Sequence, residues 1–190
     1  MGFTRDELES FRDAALPDLV GNDLKLLFVG INPGLWSAAI KTHFAYPGNR
    51  FYPALRRAGI LERDLTWSSG MSDADRAYLI ERGIGITNVV ARATARADEL
   101  TTAELCEGAQ RLETFIAKHQ PRVVAIAGIT AYRAAFGRLK ATMGRQGEEI
   151  AGTPLWVVPN PSGLNAHETV DSLAAAYRGP AVEAGIPSAN

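Results

Sequence analysis

Residues 25–34, Lys-Leu-Leu-Phe-Val-Gly-Ile-Asn-Pro-Gly, constrain this chain more than any other stretch. Leu26, Leu27, Phe28 and Val29 form an unbroken apolar run, the signature of a short strand buried on both faces. Gly30, Pro33 and Gly34 then turn the backbone and hold Asn32 at the carboxyl end of that strand. In open α/β sheets, ligands bind at this end. An Asn there offers a donor and an acceptor for water or a polar ligand, but no strong base. An Asx-type turn that only ends the strand is the plainer alternative. A second stretch repeats the arrangement: Leu155-Trp156-Val157-Val158 runs into Pro159-Asn160-Pro161-Ser162-Gly163-Leu164-Asn165. Two strands thus end in Asn-Pro loops, one towards each end of the chain.

Between these loops, helical and strand patterns alternate. Thr4 and Glu7 make a capping box for a first helix with Leu8, Phe11, Ala15 and Leu16 on its apolar side, ending before Pro17. Residues 1–16 are read as an N-terminal helical extension. Residues 30–49 form a long Gly/Pro loop with little regular pattern, and such loops are usually functional. Helices are expected over Phe51–Gly59, over about 73–82 behind Ser72, and from the Thr101/Glu104 box to the break at Gln120-Pro121. The last of these buries Leu105, Ala109, Leu112 and Ile116. Strands are expected at Ile84–Val90 and Arg122–Ala127, with Gly128 opening a helix to about Phe136. Residues 137–153 look irregular apart from an antiparallel turn around Gly152. A last helix is expected over Asn165–Tyr177, and residues 179–190 are expected to fray. Strands separated by helices predict a parallel sheet covered on both faces, in one domain spanning 1–190.

Composition narrows the function without naming it. With 46% apolar and 22% charged residues, the chain has a sizeable core and is neither disordered nor membrane-spanning. Its N-terminus has acidic residues and no apolar signal core, so a cytoplasmic or nucleoid location is expected. Cys106 is the one cysteine, which excludes an internal disulfide or an iron–sulfur cluster, and a structural place beside Leu105 is expected for it. His43, His119 and His167 are scattered without ligand-spaced partners, so no metal is expected. The net charge of −1 does not announce a nucleic-acid binder. Any polyanion would need local positive charge, from Arg50, Arg56 and Arg57 or from Arg133, Arg138, Lys140 and Arg145; solvated helix faces are the alternative for at least half of these.

Taken together, Gly30-Ile31-Asn32-Pro33-Gly34-Leu35, Phe44-Ala45-Tyr46-Pro47-Gly48-Asn49-Arg50-Phe51, Gly85-Ile86-Thr87-Asn88-Val89-Val90 and Asn160-Pro161-Ser162-Gly163-Leu164 carry a family likeness. In that order they resemble segments of the mismatch-specific uracil and thymine DNA glycosylases, a branch of the uracil-DNA glycosylase superfamily. The likeness spans roughly residues 16–178, and four ordered motifs are far more specific than one short loop. It implies a three-layer α/β/α sandwich around a short central parallel sheet. It also implies hydrolytic, monofunctional removal of uracil, or of thymine or another damaged base, from mispairs such as G·U, with no cofactor. The implied partner is double-stranded DNA carrying a mispaired or damaged base, and a monomer is expected.

The resemblance also implies roles for particular residues. Asn32 is the catalytic position, orienting water by hydrogen bonds rather than acting as a base. Backbone N–H groups of Ile31 and its neighbours, Gly34 among them, would meet charge on the departing base. Phe44 holds the stacking position over the flipped pyrimidine, with core packing as its alternative. Asn88 would read the uracil edge, or would simply be a strand-end turn residue. Ser37 and Ala38 are expected near the pocket floor, where they would decide whether a 5-methyl group fits; Trp36 is expected to pack. In the second motif, Leu164 would wedge into the gap left by the flipped nucleotide, and Gly163, with Asn160 and Ser162, would face the DNA. Asn165 would contact DNA or cap the last helix with Glu168, and the cap is favoured. His43 would touch phosphate or lie solvated on the surface. No lysine lies in either motif, so no Schiff-base step is expected. A non-catalytic mismatch-binding module and a nucleotide enzyme using the Gly-rich loop are the competing readings; the loop matches neither a P-loop nor G-x-G-x-x-G.

Overall fold

The computed structural model of the chain describes residues 2–188. Five strands form one sheet: β1 (Leu26–Gly30), β2 (Ile84–Asn88), β3 (Val123–Ala127), β4 (Gly144–Ile150) and β5 (Thr153–Val158). Their order across the sheet is β2-β1-β3-β5-β4. β1 pairs in parallel with β2 and β3, and β3 pairs in parallel with β5. The parallel core is therefore as expected, but β4 joins β5 antiparallel, so the sheet is mixed. The segment read as irregular hides this edge strand because its sequence, Gly-Arg-Gln-Gly-Glu-Glu-Ile, is polar and half exposed. The turn that joins it to β5 lies at Ala151-Gly152, both with positive φ.

Alternation along β1 assigns the two faces. Leu26 and Phe28 join one core with α3 (Phe51–Arg57), α4 (Asp73–Glu81) and α7 (Val170–Glu183). Leu27 and Val29 join the other, with α5 (Thr102–His119) and α6 (Ile129–Phe136). All of β1, β2 and β3 is buried, which explains the continuous apolar reading of β1 and β3. Each fully buried Leu or Phe side chain contributes about 1.5–3 kcal/mol of burial.

The boundaries differ where tertiary contacts outweigh local pattern. α1 (Arg5–Glu9) keeps the expected Thr4/Glu7 box but stops early. Asp13 adopts a left-handed φ of 63°, and Asp13 and Ala14 exchange backbone bonds with Ala93, drawing the chain into an extended bridge. The loop after β1 contains a short helix, α2 (Leu35–Ala39), against which Leu8 of α1 packs together with Phe11 and Ala14 that follow it. The last helix starts at Val170, capped by Thr169 rather than by Asn165. It also continues through Pro180 to Glu183, because Pro180, Ala181, Ala184 and Ile186 are buried against the core. The helix thus runs well into the segment expected to fray, and residues 189–190 lie outside the described residues. Cys106 is exposed rather than structural, its thiol lying 3.6 Å from the Ala134 carbonyl. No described helix is long and apolar enough to cross a membrane.

Candidate active site

Parallel pairing brings the carboxyl ends of four strands to one edge of the sheet. Asn88 ends β2, Gly30 ends β1, Ala127 ends β3, and Asn160 follows β5 by two residues; all four line a single cavity of about 920 Å³. The volume suits a small organic ligand. The two Asn-Pro loops, more than a hundred residues apart in sequence, meet here because β1 and β5 flank β3.

Asn32 is held by one end only. Its Nδ2 donates to the Arg92 carbonyl (3.0 Å) and to Thr94 Oγ1 (2.7 Å). A carbonyl can only accept, so the amide orientation is fixed rather than ambiguous. The Thr94 hydroxyl donates in turn to the Arg96 carbonyl (2.7 Å), which leaves its lone pairs for Asn32. Asn32 lines the cavity, and its Oδ1 has no donor among the described residues. The segment carrying Thr94 is aligned by bonds that continue the β1–β2 pairing: Val90 to Ile31, and Thr94 to Pro33. Next to it, the Ile31 N–H has no intramolecular acceptor among the described residues.

Gly30 is required by close approach. A Cβ there would lie 2.5 Å from Asn88 Oδ1 and 3.1 Å from the Phe44 ring. The missing side chain thus lets an amide oxygen and an aromatic face converge on the pocket floor. Phe44 sits at a left-handed φ of 54°, and its ring stacks on Phe51 with centroids 4.1 Å apart. Gly34, by contrast, has φ −75°, so the turn does not need a glycine there; a Cβ would meet nothing within 4 Å.

Asn88 is 6% exposed, and its Nδ2 lies 3.2 Å from His43 Nδ1. Its carbonyl accepts from Arg111 (2.7 Å), a helix α5 residue that closes the end of β2. His43 is not a surface group. It is 4% exposed, and its Nε2 lies 2.9 Å from the Pro17 carbonyl. Burial pulls its pKa down to about 4, outweighing the Pro17 bond and Asp18, which raise it, so the ring is neutral at pH 7. Phosphate contact by His43 is excluded by this burial. Ser37 lines the cavity, but its hydroxyl accepts the Ala45 N–H at 3.1 Å. Ala38 does not reach the pocket; it packs with Leu35 and Ala93 beneath α1. Trp36 lines the rim, donates to the Ser68 carbonyl (3.1 Å) and meets Tyr46 edge-on.

The second loop is shaped by its own polar groups. Asn160 Oδ1 accepts the Ser162 N–H (3.0 Å), and Ser162 Oγ accepts the Leu164 N–H (3.3 Å). Asn165 donates from Nδ2 to the Asn160 carbonyl (3.1 Å) and accepts the His167 N–H (3.3 Å), so it braces the loop. Arg50 does not face solvent as a free cation. Its guanidinium donates to the carbonyls of Ser162 (2.5 Å), Asn165 (2.7 Å) and Glu168. Gly163 is needed because a Cβ would lie 2.5 Å from the Gly48 carbonyl oxygen. Leu164, on the same rim, is 91% exposed.

The other cations proposed for a polyanion are mostly occupied: Arg56 by Asp64, Arg57 by Asp171, Arg138 by Glu148, Arg145 by Glu183, and Arg133 by the Ala141 carbonyl. Lys140 is exposed. Among the described residues no cluster of His, Cys, Asp or Glu fits a metal. Thr94, Arg111 and the wall formed by Arg5, Leu8 and Glu9 of α1 were not legible as site residues. Thr94 sits between two alanines, and its partner Asn32 is 62 positions away, so no local signal marks it.

A family model described as the uracil DNA glycosylase superfamily matches residues 17–179 of this chain. The fold is similar to the solution NMR structure of a Methanosarcina acetivorans protein provisionally named a uracil DNA glycosylase. That match has a TM-score of 0.59 and 16% identity, covering 87% of this chain and 96% of that one.

Proposed function

The chain belongs to the uracil DNA glycosylase superfamily, and we propose that it removes uracil from DNA by hydrolysis of the base–sugar bond, acting best at mispairs such as G·U. The observation that carries this reading is Asn32, held through Nδ2 so that only its Oδ1 is left for the cavity. An uncharged acceptor so placed takes a proton of water and points the water's lone pair at the sugar carbon. It adds little basicity, so the departing base must be stabilised by other groups. The unpartnered Ile31 N–H is one donor available for that charge.

A base inside a duplex cannot reach a floor formed by Gly30, Phe44 and Asn88, so it must leave the stack, which costs least at a mispair. Phe44 supplies a π-face, and Asn88 supplies an amide to read the base edge. Leu164, exposed on the rim, is the apolar side chain suited to fill the vacated space. Open space at Gly34 allows close approach of a ligand to the backbone. The mispair preference, the place in the mismatch-specific branch and action as a monomer all belong to this proposal. The N-terminal extension goes beyond the family match, yet Arg5, Leu8 and Glu9 line the cavity mouth.

The test is direct. Purified protein is incubated with duplexes carrying one G·U, A·U or G·T pair and then treated with alkali. Scission at the G·U position is expected, and Asn32→Ala removes it. Tight binding without scission in all three would leave a mismatch-binding module instead.

A further inference from the structure

The contact between His43 and Asn88 has a logic that the excision chemistry does not require. The Pro17 carbonyl, 2.9 Å from His43 Nε2, can only accept, so Nε2 carries the proton. In a neutral ring this leaves Nδ1 bare, and a bare Nδ1 can only accept. Asn88 must therefore present its NH₂ to His43 at 3.2 Å, and its Oδ1 lies over Gly30 on the pocket floor. Turning the Asn88 amide over would set two acceptors against each other in a site 4–6% exposed. The buried hydrogen bond so lost biases the amide roughly ten- to hundredfold towards the observed sense.

We infer that His43 is a positioning residue that fixes the sense of the Asn88 amide, and thereby selects bases that present an N–H donor to the pocket. This rests on the glycosylase reading for the presence of a base in the cavity. Uracil carries N3–H between two carbonyls and meets an acceptor with a donor. Hypoxanthine likewise presents a ring N–H, beside a single carbonyl. Cytosine has an unprotonated N3 at that position and would meet Asn88 Oδ1 with a second acceptor. Thymine shares the uracil edge, so His43 does not separate the two; any such discrimination must come from groups around the 5-methyl. The selecting group is thus 45 positions from Asn88 and takes its tautomer from a proline carbonyl in a segment before β1.

The experiment uses uncleavable duplexes carrying 2′-fluoroarabino-uridine or -cytidine opposite an abasic site, so neither base is paired. The native protein is expected to bind the uridine duplex about tenfold or more tightly than the cytidine duplex. His43→Leu should bring that ratio to within roughly threefold of unity, as should Asn88→Ala, and the double variant should lose nothing further. His43→Gln, whose amide both donates and accepts, should keep the native ratio. Thermal melting establishes that each variant is folded. In parallel, a ¹⁵N spectrum of the native histidine rings should show His43 neutral and protonated on Nε2. A native ratio kept by folded His43→Leu overturns the inference, and so does a ring protonated on Nδ1. If leucine unfolds the chain, the tautomer spectrum and His43→Gln decide. Failure of the native protein to cut a G·U duplex would instead overturn the glycosylase reading, leaving the tautomer result untouched.

Discussion

The two Asn-Pro loops look alike in sequence and do opposite work in the structure. In the first, the polar side chain is anchored at one end so that one oxygen stays open: Asn32 Nδ2 is taken by Arg92 and Thr94, and Oδ1 is not. In the second, each polar side chain finds a backbone partner within the loop, although Asn160 is held through Oδ1 alone. Asn160, Ser162 and Asn165 bond to neighbouring backbone, and Arg50 fastens three carbonyls from outside. What that scaffold leaves in solvent is an apolar residue, Leu164, at 91% exposure. An Asn before Pro thus has no fixed role. Its role depends on whether the partners of its amide lie within the loop or on a distant segment of the chain.

The sharpest way to break this contrast is at Asn32. Asn32→Ala should lower excision from a G·U duplex by two orders of magnitude or more in single-turnover assays, roughly 3 kcal/mol, with binding kept. Asn32→Asp should not exceed the native rate. A carboxylate has no donor for the Arg92 carbonyl, so it would set like partial charges against each other where Nδ2 now bonds. An aspartate enzyme faster than native would mean that the anchor is dispensable.

Acid should act on the first loop's side of the cavity. The folded pKa of His43, about 4, lies below its ordinary 6.5, chiefly through burial, with Arg76 lowering it and Asp18 opposing. The unfolded state therefore binds the proton more readily. The contribution to stability is complete above pH 6.5 and falls away between 6.5 and about 4, by roughly 3 kcal/mol. Denaturant melts of native protein and His43→Gln across that range should diverge accordingly; parallel curves would place the acid-sensitive group elsewhere.

Arg50→Ala tests whether the second loop is held from outside. Losing a guanidinium shared by three carbonyls should cost about 2–3 kcal/mol of stability and weaken duplex binding. Excision from a uracil single strand should suffer less, because the first loop is intact. Equal losses on both substrates would make Arg50 part of the chemistry.

Leu164→Ala should change stability little, since the side chain is already in water. Binding to G·U duplex should weaken by about 1–3 kcal/mol, with single-stranded substrate and salt dependence unaffected. The smallest effect expected is on pairing partner. If Asn88 reads the base edge as proposed, A·U and single-stranded uracil should also be cut, G·U fastest, with A·U within roughly tenfold of it. Cleavage confined to G·U would show that flipping cost and guanine contacts dominate over the pocket.

Local chemistry determined a good part of this protein from sequence alone. The apolar runs at 26–29, 123–127 and 155–158 read as strands because they are too short for a buried helix and are bounded by Gly or Pro, and buried backbone of that length finds its partners in a ladder. The Thr4, Ser72 and Thr101 caps were legible because a cap is a bond over three residues. Asn32, Phe44, Asn88 and the second loop were likewise marked by short motifs, and the structure brings them to one cavity. Tertiary structure decided the rest. β4 was invisible because an edge strand needs only half an apolar face, and Asn165 lost the helix cap to Thr169 because Arg50 and Asn160 hold the loop around it. His43 read as a phosphate-contacting or solvated histidine; its neutral state comes from burial and its tautomer from the Pro17 carbonyl, 26 positions away. The sense of the Asn32 and Asn88 amides depends on such distant partners. A side-chain amide has no orientation of its own until the fold supplies something that can only donate or only accept.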